Sequence, residues 1–144
     1  MCSASCLQGE KETGIHKPGG MNKDPSSAAG LLWMRRSISF QVAIFEALLA
    51  GGETATLPAA TGKAYADELE VYHGWLLKKI FGKVISSSPS RESFAEKLAP
   101  NVIDSMRQVV VDRDMATFCE KLNPILEQWK SVYAELDLED VRKV

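Results

Sequence analysis

Residues 65–84, YADELEVYHGWLLKKIFGKV, constrain the fold more than any other stretch. Tyr65, Leu69, Leu76, Ile80 and Val84 recur in helical steps, with His73 where the same stripe continues. That spacing predicts one amphipathic α-helix whose apolar face holds a single imidazole. Asp67, Glu68, Glu70, Lys78, Lys79 and Lys83 mostly fall elsewhere and can stay wet. A histidine facing a core needs a partner, since a dry, unpaired ring nitrogen costs about 1–3 kcal/mol. Two readings stay open at this level: a core histidine satisfied by a neighbour, or a histidine waiting for a ligand.

The flanking sequence reads as further helices. Asp24-Pro25 suits a helix start, with Asp24 as N-cap and Pro25 at the first helical position. That helix runs to about Ala50 and stops at Gly51-Gly52. Pro58 marks a restart, the 86–89 SSSP run is a breaker, and Ser90 caps a short helix through Leu98. Apolar faces then predict helices over 101–111 and from about 114 to 136, the second bent at Pro124. The Val109-Val110-Val111 triplet has no partner run, so an all-α fold is expected. Residues 1–24, rich in Gly, Lys, Ser and Glu, are expected to be a disordered lead-in, and 25–144 one helical domain.

Composition narrows the function. A net charge of −2 supplies no basic field, so no nucleic-acid partner is expected. Cys2, Cys6 and Cys119 lack metal-ligand spacing, which points to a reducing interior without metal or other cofactor. Cys119 reads as a small core filler and Trp129 as core. No apolar run has the length of a signal peptide or of a membrane span, so a cytosolic protein meeting membranes only peripherally is expected. Phosphate loops, HExxH, GxSxG and kinase signatures are missing, and His16 lies in the polar tail; no catalysis is expected.

The first long helix is more informative. LLWMRRSISF puts Trp33, Arg36, Phe40 and Ile44 three, four and four residues apart, on one helix side. An indole plate beside a guanidinium fork suits a ring-shaped polyhydroxyl ligand. A boundary tryptophan beside an arginine that snorkels to water would give the same pattern.

LLWMRRSISF, then AYADELEVYHGW, then SPSRESFAEKL, and finally LNPILEQWKSVYAEL resemble the glycolipid transfer protein family from about Ala28 to Leu136. The family carries a WLKRGL-type segment, a Tyr-x-x-x-Leu-x-x-x-His-x-Trp stretch and a Pro-Ser turn. The resemblance implies a two-layer helical sandwich that carries a glycosphingolipid or other ceramide-based lipid between membranes. Trp33 would stack on the first sugar, Arg36 would lie by the headgroup, and His73 would bond the ceramide amide carbonyl. Phe40, Ile44, Leu69, Leu76 and Ile80 would line the apolar slot for the chains, and Trp75 would touch the bilayer. Leu32 stands where relatives selective for ceramide-1-phosphate tend to carry a second arginine, which favours a sugar headgroup over that alternative. The family's Asp-x-x-x-Asn-x-x-Lys group and the N-terminal helices that bear it have no match here, so an incomplete sandwich is expected. Apolar faces left bare would favour self-association, or a lipid-free helical interaction module derived from the same fold.

Overall fold

The structure is a computed structural model describing residues 2–17 and 22–144, with the side chains of 2–4 left aside. Its helices are α1 (Cys2–Glu12), α2 (Ser27–Ala50), α3 (Leu57–Glu68), α4 (Trp75–Ser86), α5 (Arg91–Leu98) and α6 (Asp104–Glu135). Short 3-10 turns at Gly52–Thr54 and Glu70–Tyr72 join them, and no β-strand forms among the described residues.

α2 is the central element, with α3 packed on it along one side and α6 along another. Ile44 and Leu48 of α2 share a core with Leu57, Ala60 and Ala64 of α3, Ala95 of α5, and Val111 and Met115 of α6. Val42 meets Cys119 and Leu126 in a smaller cluster, so Cys119 does sit among apolar neighbours. The result is the expected all-α sandwich. α2 ends where the glycines are, because Gly52 adopts φ +55°, a left-handed conformation that costs glycine little. The restart marked by Pro58 is α3, which begins at Leu57 with Thr56 as N-cap and Pro58 in its first turn.

Four expectations change. First, residues 1–24 are not a disordered lead-in where they are described: α1 lies against α2 and buries Leu7 with Ala28, Leu32, Tyr133 and Leu138. Positions 1 and 18–21 of that segment lie outside the described residues. Second, the N-cap of α2 is Ser26, whose Oγ accepts from Ala29 N at 3.0 Å. The preceding two amides are taken by Glu10 of α1, at 2.8 Å each, so the start of α2 is fixed by a carboxylate from another helix. Third, the two helices expected over 101–111 and 114–136 are one, α6, which begins only at Asp104, because nothing in the Asp-Arg-Asp link breaks the ladder; Pro124 lies inside it.

The fourth change matters most for function. Residues 65–84 do not form one helix: α3 stops at Glu68, and α4 begins at Trp75. His73 lies between them in extended backbone, φ −100° and ψ 135°. The break is held by the chain's last residues. α6 ends at Glu135, and Asp137, at φ +52°, turns the backbone so that Leu138 is buried. The segment after it runs back across α2 until Val144 N donates to Tyr72 O at 2.9 Å and Gly74 N donates to Val144 O at 2.7 Å. A Cβ on Gly74 would stand 3.0 Å from that oxygen, so this approach requires glycine.

Candidate functional site

His73 is packed into an aromatic cluster. Its Nδ1 is 3.1 Å from the Tyr65 hydroxyl, and its ring lies 4.9 Å from that of Phe81 and 6.1 Å from that of Trp33, nearly parallel to the latter at 22°. Burial pushes the imidazole pKa down, with Lys78 adding to the shift, so the ring is neutral at pH 7. A neutral imidazole has one donor and one acceptor nitrogen. Tyr65 engages Nδ1, and Nε2 has no hydrogen-bond partner among the described residues.

Trp33 brings its own cation. The Arg36 guanidinium lies 5.0 Å from the Trp33 ring centre and 3.5 Å from that of Tyr72. Arg36 is only 4% exposed, so it does not snorkel to water. Burial pushes its pKa down, and the neighbouring Tyr72 and Glu139 oppose that shift. Its Nη2 donates to the Asp140 carbonyl and, at 3.4 Å, to Glu139 Oε1. Arg35 beside it donates from Nη2 to both Glu139 oxygens, at 2.6 and 2.8 Å, and sits over Tyr133. Two buried arginines thus depend on one acidic side chain from the C-terminal segment, which keeps neither as an unpaired buried charge.

Beside the indole opens a cavity of about 220 Å³. Ala29, Leu32, Trp33 and Arg36 of α2 form one side; Asn22 and Asp24, with Asp140 and residues 142–144, form the rest. Asn22 is held there by its Nδ2, which donates to Leu138 O at 2.7 Å, and by its backbone N–H, which donates to Asp140 Oδ2 at 3.0 Å. No group of three or more metal-ligating side chains gathers among the described residues.

Trp33, Arg36 and His73, chosen on sequence, therefore come together. The five slot residues do not line one wall. Ile44 and Leu69 are buried in the helical packing and Phe40 is half-buried, while Leu76 and Ile80 stand exposed on α4. The break at His73 explains this, since it resets the helical register and the stripe beyond it faces outward. Trp75 is the most exposed tryptophan, at 71%, with Lys79 Nζ 5.1 Å from its ring centre. Trp129 packs at the edge of the Leu7 cluster. Sequence reasoning missed Tyr72, Glu139, Asp140 and Asn22. Of these, only the match in charge between the adjacent Glu139-Asp140 and Arg35-Arg36 offered a signal in the sequence.

The sequence matches the family described as Glycolipid transfer protein (GLTP) over residues 4–100, a match that begins inside α1. Glycolipid transfer protein 1 of Arabidopsis thaliana is 28% identical over 117 residues, covering 81% of this chain and 54% of the relative. The Danio rerio glycolipid transfer protein is 26% identical over 118 residues, covering 74% and 54%. The chain thus spans about half the length of these relatives. Among solved structures, a FAPP2 structure described as selecting simple glycosphingolipids using the GLTP fold superposes with a TM-score of 0.81. It is 20% identical, over 98% of this chain and 65% of that one. Mouse ceramide-1-phosphate transfer protein in its apo form superposes with a TM-score of 0.75 at 21% identity, over 96% and 65%. On its sequence match, its helical architecture and the convergence of Trp33 with His73, this chain belongs to the glycolipid transfer protein family.

Proposed function

We propose that this chain binds a ceramide-based sphingolipid with a sugar headgroup and moves it between membranes in the cytosol, without catalysing a reaction. The observation that carries this is the 6.1 Å stacking of Trp33 on His73, two rings from segments 40 residues apart in sequence. The indole offers a flat face to a sugar, and the neutral imidazole offers Nε2 to the ceramide amide. Hydrocarbon burial supplies the driving force, about 0.8 kcal/mol per methylene, and the polar contacts supply selectivity.

The space beside His73 is filled by Phe81, whose ring lies 4.9 Å from the imidazole and stacks on Tyr65 at 4.8 Å. Phe81 belongs to α4, a helix with no buried residue. On this reading α4 swings aside to admit the chains, which then replace Phe81 against Tyr65 and His73. The same helix suits a bilayer surface. Trp75, Leu76, Ile80 and Val84 are exposed on it, beside Lys78, Lys79 and Lys83. No helix among the described residues is long and apolar enough to cross a membrane, so contact through α4 would be peripheral.

Vesicle transfer of a fluorescent glycosphingolipid tests the site. Trp33→Ala should slow transfer several-fold and His73→Leu should abolish it; equal transfer by wild type and both variants refutes the site. Ceramide-1-phosphate is the competing cargo, supported by Arg36 and the likeness to the mouse fold neighbour. A lipid-free interaction module is the second reading, favoured by exposed Ile103, Met106, Val109 and Ile125 around α6. Native mass spectrometry separates these readings, through a retained sphingolipid or a lipid-free oligomer.

A further inference from the structure

We infer that Glu139 tunes this chain toward uncharged headgroups, because its carboxylate fills the Arg35-Arg36 socket that an anionic headgroup would need. This rests on the sphingolipid reading above and names the residue that would exclude a phosphate. Arg35 and Arg36 are only 5% and 4% exposed. Two guanidinium forks side by side form the kind of donor array that holds a phosphate. Here the array already holds an anion. Arg35 Nη2 donates to both Glu139 oxygens, at 2.6 and 2.8 Å, and Arg36 Nη2 donates to Oε1 at 3.4 Å. The carboxylate comes from the segment after α6, which the turn at Asp137 sends back across α2.

Arg36 connects this socket to the indole. It lines the cavity beside Trp33 and also a second one, of about 340 Å³, which Arg35, Ser39, Lys130 and Glu139 border. Glu139 does not line the first cavity, so it acts on a headgroup through Arg36 rather than by touching it. Its side chain is 36% exposed, against 6% for Arg35 and 4% for Arg36, so an entering anion meets the carboxylate before either cation. Charge points the same way. In the second cavity Arg35, Arg36 and Lys130 face Glu68, Glu139 and the Glu127 bonded to Lys130, three against three. Nε of Arg36 and Nη1 of Arg35 have no hydrogen-bond partner among the described residues, so the pair keeps donor capacity that one carboxylate leaves unused. A sugar is indifferent to this balance, whereas a phosphate must displace Glu139 or bind against its charge.

The test offers the purified chain vesicles holding equal amounts of a monohexosylceramide and ceramide-1-phosphate, then measures the ratio retained by mass spectrometry. Glu139→Gln adds one positive unit to the local charge, Arg35→Gln removes one, and Arg35→Gln/Glu139→Gln restores the wild-type balance. Relative to the monohexosylceramide, ceramide-1-phosphate should rise about tenfold in the first and fall about tenfold in the second, the effect of one partly screened charge. The double variant should return to within about twofold of wild type, and both single shifts should shrink as salt is raised. A ratio unmoved by Glu139→Gln, or a double variant that keeps the single variant's shift, overturns the inference while leaving the carrier reading standing. Should Glu139→Gln fail to fold, Arg35→Gln still decides, since a ratio that does not fall with it overturns the inference as well. Wild type that retains neither lipid overturns both.

Discussion

Glu10 should be worth far more to stability than an acidic residue near a chain terminus usually is. Its carboxylate accepts from Ser27 N and Ala28 N at 2.8 Å, two of the four amides that an α-helix leaves open at its start. Ser26 satisfies a third. Glu10→Ala removes two charge-assisted bonds and the favourable charge at the positive end of α2, while Ala28, fully buried, cannot turn to water instead. Losing both should cost about 2–3 kcal/mol, or about 5–10 °C in Tm for a chain of this size. Glu10→Gln keeps one neutral acceptor and should lose about half as much. The sign of the pH effect follows from the carboxyl group. Burial pushes its pKa up, but the bonds from Ser27 and Ala28 outweigh that and hold it below its ordinary 4.5. Stability from Glu10 is therefore present above about pH 4.5 and lost as pH falls through the lower folded value. Urea unfolding followed by circular dichroism, at pH 7 and in steps down to pH 3, measures both effects. A Glu10→Ala variant within 0.5 kcal/mol of wild type (about RT) would mean that α1 does not hold α2, and would restore the lead-in expected from sequence.

Three shorter predictions follow from the same geometry. The folded pKa of His73 lies below its ordinary 6.5, so its contribution is complete above that pH and erodes as pH falls toward the folded value; between pH 7.5 and 5.5 wild type should lose more stability than His73→Gln, and parallel curves would refute this. Tyr133, which donates to Ala28 O at 2.7 Å, has its pKa pushed up from 10.0 to about 12 by burial; its stabilisation should hold below pH 10 and fade through about 12, with Tyr133→Phe showing a shallower alkaline loss in urea unfolding. Trp75→Ala should weaken adsorption to anionic vesicles about tenfold without changing Tm, because the ring is 71% exposed; an unchanged sedimentation assay would remove α4 from the membrane-contact role.

Much of the scaffold was legible because local chemistry decided it. Gly51-Gly52, Pro58 and Ser90 end and begin helices where their backbone preferences say they should. Trp33, Arg36 and His73 were found through motif likeness, and the fold brings them together. The failures share one cause, which is contact between segments remote in sequence. Helical periodicity carried the stripe straight through His73, because the bonds that hold that residue extended come from Val144, which a 20-residue window cannot see. Residues 1–24 looked too polar to fold, yet Leu7 is 1% exposed and Glu10 finds amides that no composition measure records. The arginine pair similarly finds its partner at Glu139, over a hundred positions away.

The pair of backbone bonds that brackets His73 also means that the imidazole wears a splint made from a segment remote in sequence. Trimming a few C-terminal amino acids, by protease or by cloning, would leave every ring of the aromatic cluster in the sequence and still loosen the geometry around it. On the carrier reading residues 136–144 belong to the cleft, and their removal should be judged by what it does to lipid uptake.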